Sequence, residues 1–286
     1  MNPVPNAIRT GVRRGWTEFK LSVRSPQDQG FYLFSSLAIL GYLFMNRNNE
    51  VEFGDAAISY TTLALPSIVG AMIAFGMIIG PAYALAMERE DGTLLRAKAI
   101  PYGMVGHVSG HVVSNVLALV PSLSLIIIPG MFLFGGTTPI SVTGLLTMVW
   151  VIALGTLATL PIGLIIGSLV PGIQKVGTWG MLPFIAVLSI SGIFSPIQSL
   201  WGWVQSVAQV FPVYWLGLGM RSAFLPDSAA AFELTAGWRS LETGLILGAW
   251  AMLGLVVAPV VLRRMARRQS GSAVEAAREQ ALQWVR

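Results

Sequence analysis

Two stretches of this 286-residue chain, 56–87 and 99–174, contain no Asp, Glu, Lys or Arg. An ordinary soluble domain is about 25% charged, so runs of this length without one ionised side chain have no water-facing side. A membrane-crossing helix needs about 20 mostly apolar residues. Within a bilayer only helices and closed barrels satisfy every backbone N–H and C=O. The chain as a whole is 54% hydrophobic and 11% charged, which leaves no material for a sizeable soluble domain. The sequence therefore predicts an all-α membrane protein. It has no cysteine, which excludes disulfides and thiolate metal sites.

Turn residues and isolated charges cut the apolar material into six spans, 29–46, 60–87, 105–134, 140–170, 176–194 and 243–262. The acidic stretch 47–59 reads as a loop, as do Gly135-Gly136-Thr137-Thr138-Pro139 and Pro171-Gly172-Ile173-Gln174-Lys175. Ser195-Pro196 reads as the break after the fifth span, and 222–242 as a polar outer loop. Residues 197–216 are charge-free, yet Pro212 splits them and Gln198, Gln205 and Gln209 interrupt them. They read either as a broken helix dipping into the outer leaflet or as a surface amphipathic helix.

Ahead of the first span, Ile8, Val12, Trp16, Phe19 and Val23 fall on one narrow arc of a helix, with Arg9, Arg13, Lys20 and Arg24 on its flank. This reads as an interfacial helix anchored by Trp16 and Phe19 and drawn to anionic lipid headgroups by Arg13 and Lys20. The bland alternative is a basic, partly ordered tail. The basic residues suit membrane lipids better than nucleic acid. The organisation that follows is an interfacial helix over 1–28, a six-helix membrane domain over 29–262 and a basic tail over 263–286. Within the tail, Ser272-x-x-Glu275 could cap a helix reaching Trp284. The N-terminal segment lacks the form of a signal peptide and is expected to be retained. Six spans put both termini on one side, the side that carries 15 of the 18 Lys and Arg; Arg47, Arg221 and Arg239 fall on the other. The positive-inside rule makes the richer side cytoplasmic.

Between the second and third spans, residues 88–101 hold the densest charge between the termini: Glu88, Arg89, Glu90, Asp91, Arg96 and Lys98. Gly92-Thr93 followed by Leu94 to Ala99 suggests a short helix that Pro101 ends. The pattern Glu88-Arg89-Glu90-x-Gly92-Thr93-Leu94-x-Arg96, followed by Pro101, resembles the cytoplasmic loop of type 2 ABC transporter permeases, especially their actinobacterial, daunorubicin-exporter-like drug-resistance branch. Leu95, Ala97 and Ile100 stand where that family usually has Glu, Leu and Thr.

The resemblance implies that this loop is a coupling helix docking on a cognate ABC ATPase subunit, with two permeases and two ATPases per transporter. It implies a re-entrant segment after the fifth span and a bacterial plasma membrane location. ATP and Mg would be bound by the partner ATPase, with no cofactor in this chain. The cargo would be a hydrophobic or amphipathic small molecule such as an antibiotic, or a lipid. Glycolipid or polysaccharide export is the runner-up, and a non-transporting scaffold or intramembrane enzyme the alternative from another class.

The missing chemistry agrees with a transport role. No lysine follows a glycine, so no Walker A motif exists and an ATPase would be another polypeptide. The spans hold none of the Asp, Glu, Lys or Arg residues by which ion-coupled carriers are usually recognised. His107 and His111 sit four apart without the Glu of a His-Glu-x-x-His motif, and read as polar residues near the cytoplasmic end of the third span rather than as a metal site. Met72, Phe75 and Met77 in the second span, with Trp179, Met181 and Phe184 in the fifth, either line a cargo path or pack against helices and lipid.

Overall fold

The computed structural model describes residues 3–53, 56–134, 141–170 and 172–268. The helices are α1 (Pro3–Arg24), α2 (Pro26–Met45), α3 (Tyr60–Glu90), α4 (Thr93–Lys98), α5 (Gly103–Leu133) and α6 (Val142–Leu169), then α7 (Ile173–Lys175), α8 (Met181–Ile190), α9 (Gly202–Ala208), α10 (Pro212–Phe224) and α11 (Ser240–Arg268). A π-helical turn, Val176–Gly180, joins α7 to α8, so Ile173–Ile190 forms one continuous rod. Among the described residues, five helices are long and apolar enough to cross a membrane: Tyr60–Glu90, Gly103–Leu133, Val142–Leu169, Ile173–Ile190 and Ser240–Met265. The expected first span, 29–46, falls on α2 up to Met45, with Asn46 as its C-cap, and α2 is not among these five.

Helix α3 is the axis of the bundle. Its apolar residues run all the way round, the pattern of a helix without a solvent face, and 72% of its most apolar window is buried. It packs against α6, α10 and α5. Glycines let the backbones approach: a Cβ at Gly163 would stand 2.3 Å from the Ile78 carbonyl, and one at Gly70 would stand 2.7 Å from the Leu216 carbonyl. Pro66 and Pro81 lie inside α3 without ending it.

Several boundaries differ from the sequence reading. The acidic loop folds as an antiparallel hairpin, β1 (Glu50–Phe53) with β2 (Ala56–Ser59), which pairs Val51 with Ile58. The all-α expectation thus acquires one small sheet. The rod ends at Ile190, four residues before 194, because Gly192 takes a left-handed turn (φ 69°). Helix α11 continues past 262 to Arg268, as basic residues are good helix formers and complement a helix C-terminus. Residues 197–216 form a 3-10 turn (Ile197–Ser199), α9 and the start of α10, broken at Pro212 as the sequence suggests. The turn over 135–139, Asp55, Pro171 and the 272–284 helix lie outside the described residues.

The end of the bundle opposite 88–101 is closed by polar bonds. The Arg221 guanidinium of α10 donates to both Glu233 carboxylate oxygens, at 2.5 and 3.1 Å, and to Ser67 Oγ of α3 at 2.8 Å, and both charged side chains are only 4% exposed. Trp215 Nε1 donates to the Gln209 carbonyl at 2.7 Å, which fixes the angle between α9 and α10.

Candidate functional site

Three consecutive charged residues end α3, and helical geometry points them in different directions. Glu88 meets α5, where His107 Nε2 lies 2.7 Å from Oε2 and His111 Nε2 lies 2.8 Å from Oε1. Arg89 Nη1 donates to the carbonyls of Gly167, Ser168 and Val170 at 2.9–3.2 Å, closing the C-terminal end of α6, where a helix leaves its last carbonyls unbonded. Glu90 Oε1 accepts the Ile173 backbone N–H at 2.8 Å, at the start of α7. One turn of α3 therefore fastens α5, α6 and the α7–α8 rod. These three charged side chains, which the resemblance places in the coupling loop, thus have partners within the chain.

The α1 helix joins the same knot. Arg14 Nη1 lies 3.0 Å from His107 Nδ1, and its Nη2 lies 3.7 Å from Glu88 Oε1. A guanidinium can only donate, so Nδ1 of His107 is the acceptor and its ring proton sits on Nε2, aimed at Glu88. Three possible ligand atoms, from Glu88, His107 and His111, lie within 4.8 Å of one another. A metal would need the Nε2 lone pair of His107, whose Nδ1–H would then face the Arg14 donor instead of the acceptor that a metal-bound His usually has. The arrangement fits a hydrogen-bonded knot, in which a carboxylate collects two imidazole N–H groups.

α1 reaches this place through glycine. A Cβ at Gly11 would stand 2.1 Å from the Gly106 carbonyl, and one at Gly15 would stand 2.3 Å from the Gly110 carbonyl. Two Gly-x-x-x-Gly patterns, 11/15 and 106/110, thus face each other, a pairing that suits close helix contact. That signal is in the sequence, and the amphipathic reading passed over it. On the opposite face of α1, Trp16 is 48% exposed with its ring 5.8 Å from Phe19, Lys20 Nζ is 6.0 Å from the Trp16 ring centroid, and Arg13 is exposed.

Beyond Glu90 the chain makes the expected short helix. Gly92 adopts φ 79°, a left-handed conformation that glycine takes at no steric cost, and Asp91 Oδ1 accepts the Thr93 N–H at 2.8 Å. Leu94, 1% exposed, seats α4 in the core, while Arg96 and Pro101 are exposed. Arg96 has no ion pair among the described residues.

Two cavities separate α2, α3 and the α7–α8 rod. One, of about 270 Å³, is lined by Met72, Phe75 and Phe184, with the two phenyl rings 5.8 Å apart. The other, of about 730 Å³, is lined by Met72, Phe75, Met77 and Met181 and reaches α1, α5 and the start of α2. Trp179 lines neither; it is 72% exposed on the π-helical turn.

A family model described as ABC-2 type transporter matches residues 13–225. The chain is also 23% identical over 209 residues to "ABC transporter G family member 23" of Dictyostelium discoideum. That match takes in 70% of this chain and 28% of the relative, so the chain spans well under half of the relative's length.

Proposed function

The chain belongs to the ABC-2 type transporter family, and from that premise we propose that it is the permease subunit of an ATP-driven exporter of hydrophobic or amphipathic small molecules. With no Gly-Lys-Ser/Thr in its sequence, its ATP and Mg are bound by ATPase units supplied from outside these 286 residues. Two permeases, identical or different, meet two ATPases. The helix α2 serves as a further span, giving six, with α9 and α10 as the re-entrant segment. Arg13, Trp16, Phe19 and Lys20 hold α1 in the interface. The positive-inside asymmetry supports cytoplasmic termini in a bacterial plasma membrane, and the motif of 88–101 supports the drug-exporting branch.

The observation that carries this reading is the seating of α4. Buried Leu94 fixes the helix to the bundle, while Arg96 is left exposed and unpaired among the described residues, the arrangement of a rigid element that offers a charge to a partner. Glu88, Arg89 and Glu90 then act from behind, passing a push on α4 into α5, α6 and the rod. Gly92 and Thr93 supply the turn and Pro101 the stop. Cargo follows Met72, Phe75, Met77, Met181 and Phe184; Trp179 stands at the lipid-facing edge.

Co-purification tests the docking. With the cognate ATPase co-expressed, Arg96→Ala weakens its retention modestly and Arg96→Glu abolishes it, because a like charge facing an acidic partner costs more than a missing one. Full retention by both variants would remove α4 from the interface.

A further inference from the structure

The larger cavity contains an acid that the fold leaves unpartnered. Asp28 sits in the first turn of α2, and its backbone N–H donates to Ser25 Oγ at 3.4 Å, one half of a capping box. The other half is not made. The Ser25 N–H, which would bond the Asp28 carboxylate, instead donates to the Ser22 carbonyl at 3.0 Å. Among the described residues Asp28 has no ion pair, whereas Glu88 and Glu233 each hold a cationic or imidazole partner. Its half-buried side chain lines the cavity of about 730 Å³, whose lining among the described residues includes no Lys, Arg or His.

We infer that this cavity binds a lipophilic monocation, with Asp28 as counter-ion. The volume matches that of sites for drug-sized molecules. Phe31, Tyr32, Phe75 and Tyr83 line the same space, and aromatic faces attract an organic cation. Asn115 adds a polar contact without charge. An apolar body entering the cavity strips water from the carboxylate, which is unfavourable unless the ligand itself brings the compensating charge. A neutral guest leaves that cost standing, and an anion adds repulsion. The inference rests on the permease reading for its biological sense and names the cargo class of the same path. Without a ligand, Asp28 has one evident role: a negative charge favours the N-terminus of α2.

The test is equilibrium dialysis of two near-isosteric ions of opposite charge, tetraphenylphosphonium and tetraphenylborate, against the full chain in nanodiscs, with empty nanodiscs subtracted. The wild type is expected to bind the phosphonium saturably and the borate at least tenfold more weakly. Asp28→Asn should weaken phosphonium binding about tenfold, and Asp28→Glu should keep it within about threefold. Equal phosphonium affinity in wild type and Asp28→Asn would leave Asp28 with its helix-terminal role alone and overturn the inference. So would borate binding as tight as phosphonium, or no saturable phosphonium binding. If Asp28→Asn loses helicity by circular dichroism, the two ions on the wild type still decide. The ATPase takes no part in this measurement, so binding with failed docking overturns only the permease reading, and docking without binding overturns only this one.

Discussion

Removing the carboxylate of Glu88 separates a structural knot from a merely solvated charge. In Glu88→Ala, two imidazole N–H groups lose a charged acceptor, each hydrogen bond of that kind contributing about 1.5–3 kcal/mol. The burden is unequal: the His111 side chain is 16% exposed and Arg14 is 41% exposed, so water can reach both, but His107 is 1% exposed and keeps an unmet donor. The net cost is about 2–4 kcal/mol. At roughly 2–4 °C per kcal/mol for a chain of this order of size, apparent unfolding in detergent should fall by about 4–16 °C. Glu88→Gln should be much milder. His107 cannot change tautomer while Arg14 donates to Nδ1, so it takes the amide oxygen; His111 can shift its proton to Nδ1 and accept from the amide nitrogen. Differential scanning fluorimetry of the two variants at one scan rate reads the contrast. Equal unfolding temperatures for wild type and Glu88→Ala, or a larger loss in Glu88→Gln than in Glu88→Ala, would refute the tautomer assignment and the knot with it.

The α1–α5 seam gives a second expectation: Gly15→Val drives a branched side chain into the Gly110 carbonyl and should cost about 1–3 kcal/mol of packing, read as faster cleavage of α1 by added protease. At the opposite end, Glu233→Ala strands a buried guanidinium and should cost about 3–5 kcal/mol, while the double change Arg221→Met with Glu233→Leu should recover most of it, both measured by thermal unfolding. Single cysteines introduced into this cysteine-free chain report topology: Asp227→Cys should label from outside intact cells and Gly92→Cys only after permeabilisation, and the reverse pattern would invert the assigned orientation. A peptide of residues 5–24 should gain helicity on anionic vesicles and release with salt; salt-independent binding to neutral vesicles would deny Arg13 and Lys20 their role.

The long helices were legible because their signal is local. Charge-free runs and their Gly and Pro punctuation put α3, α5 and α6 within a few residues of where they lie, and Gly92-Thr93 marked the start of α4. Alternation in Glu50-Val51-Glu52-Phe53 was also present as a strand pattern, but four residues beside acids read as easily as a loop. What the sequence could not supply were partners. Arg89 finds three carbonyls at the end of α6 and its C-cap, some 80 positions away in the chain, and Glu88 finds two histidines, only because α3 packs between those helices. His107 and His111 at four-residue spacing showed a shared face and nothing of what it would meet. The unmade half of the Ser25–Asp28 box was likewise invisible, since Ser-x-x-Asp reads as a complete cap until the Ser22 carbonyl is seen to take the Ser25 N–H.

The central claim is that a push on α4 reaches the cargo path through Glu88, Arg89 and Glu90. Inside-out proteoliposomes containing this chain and its ATPase, loaded from outside with a lipophilic fluorescent cation, test it directly when transport and ATP hydrolysis are read in the same sample. The account predicts ATP-dependent uptake in the wild type; in Arg89→Ala, which frees the end of α6, it predicts that hydrolysis and ATPase retention persist while uptake falls at least tenfold. Uptake that stays proportional to hydrolysis in Arg89→Ala, or that proceeds without the ATPase, would contradict it.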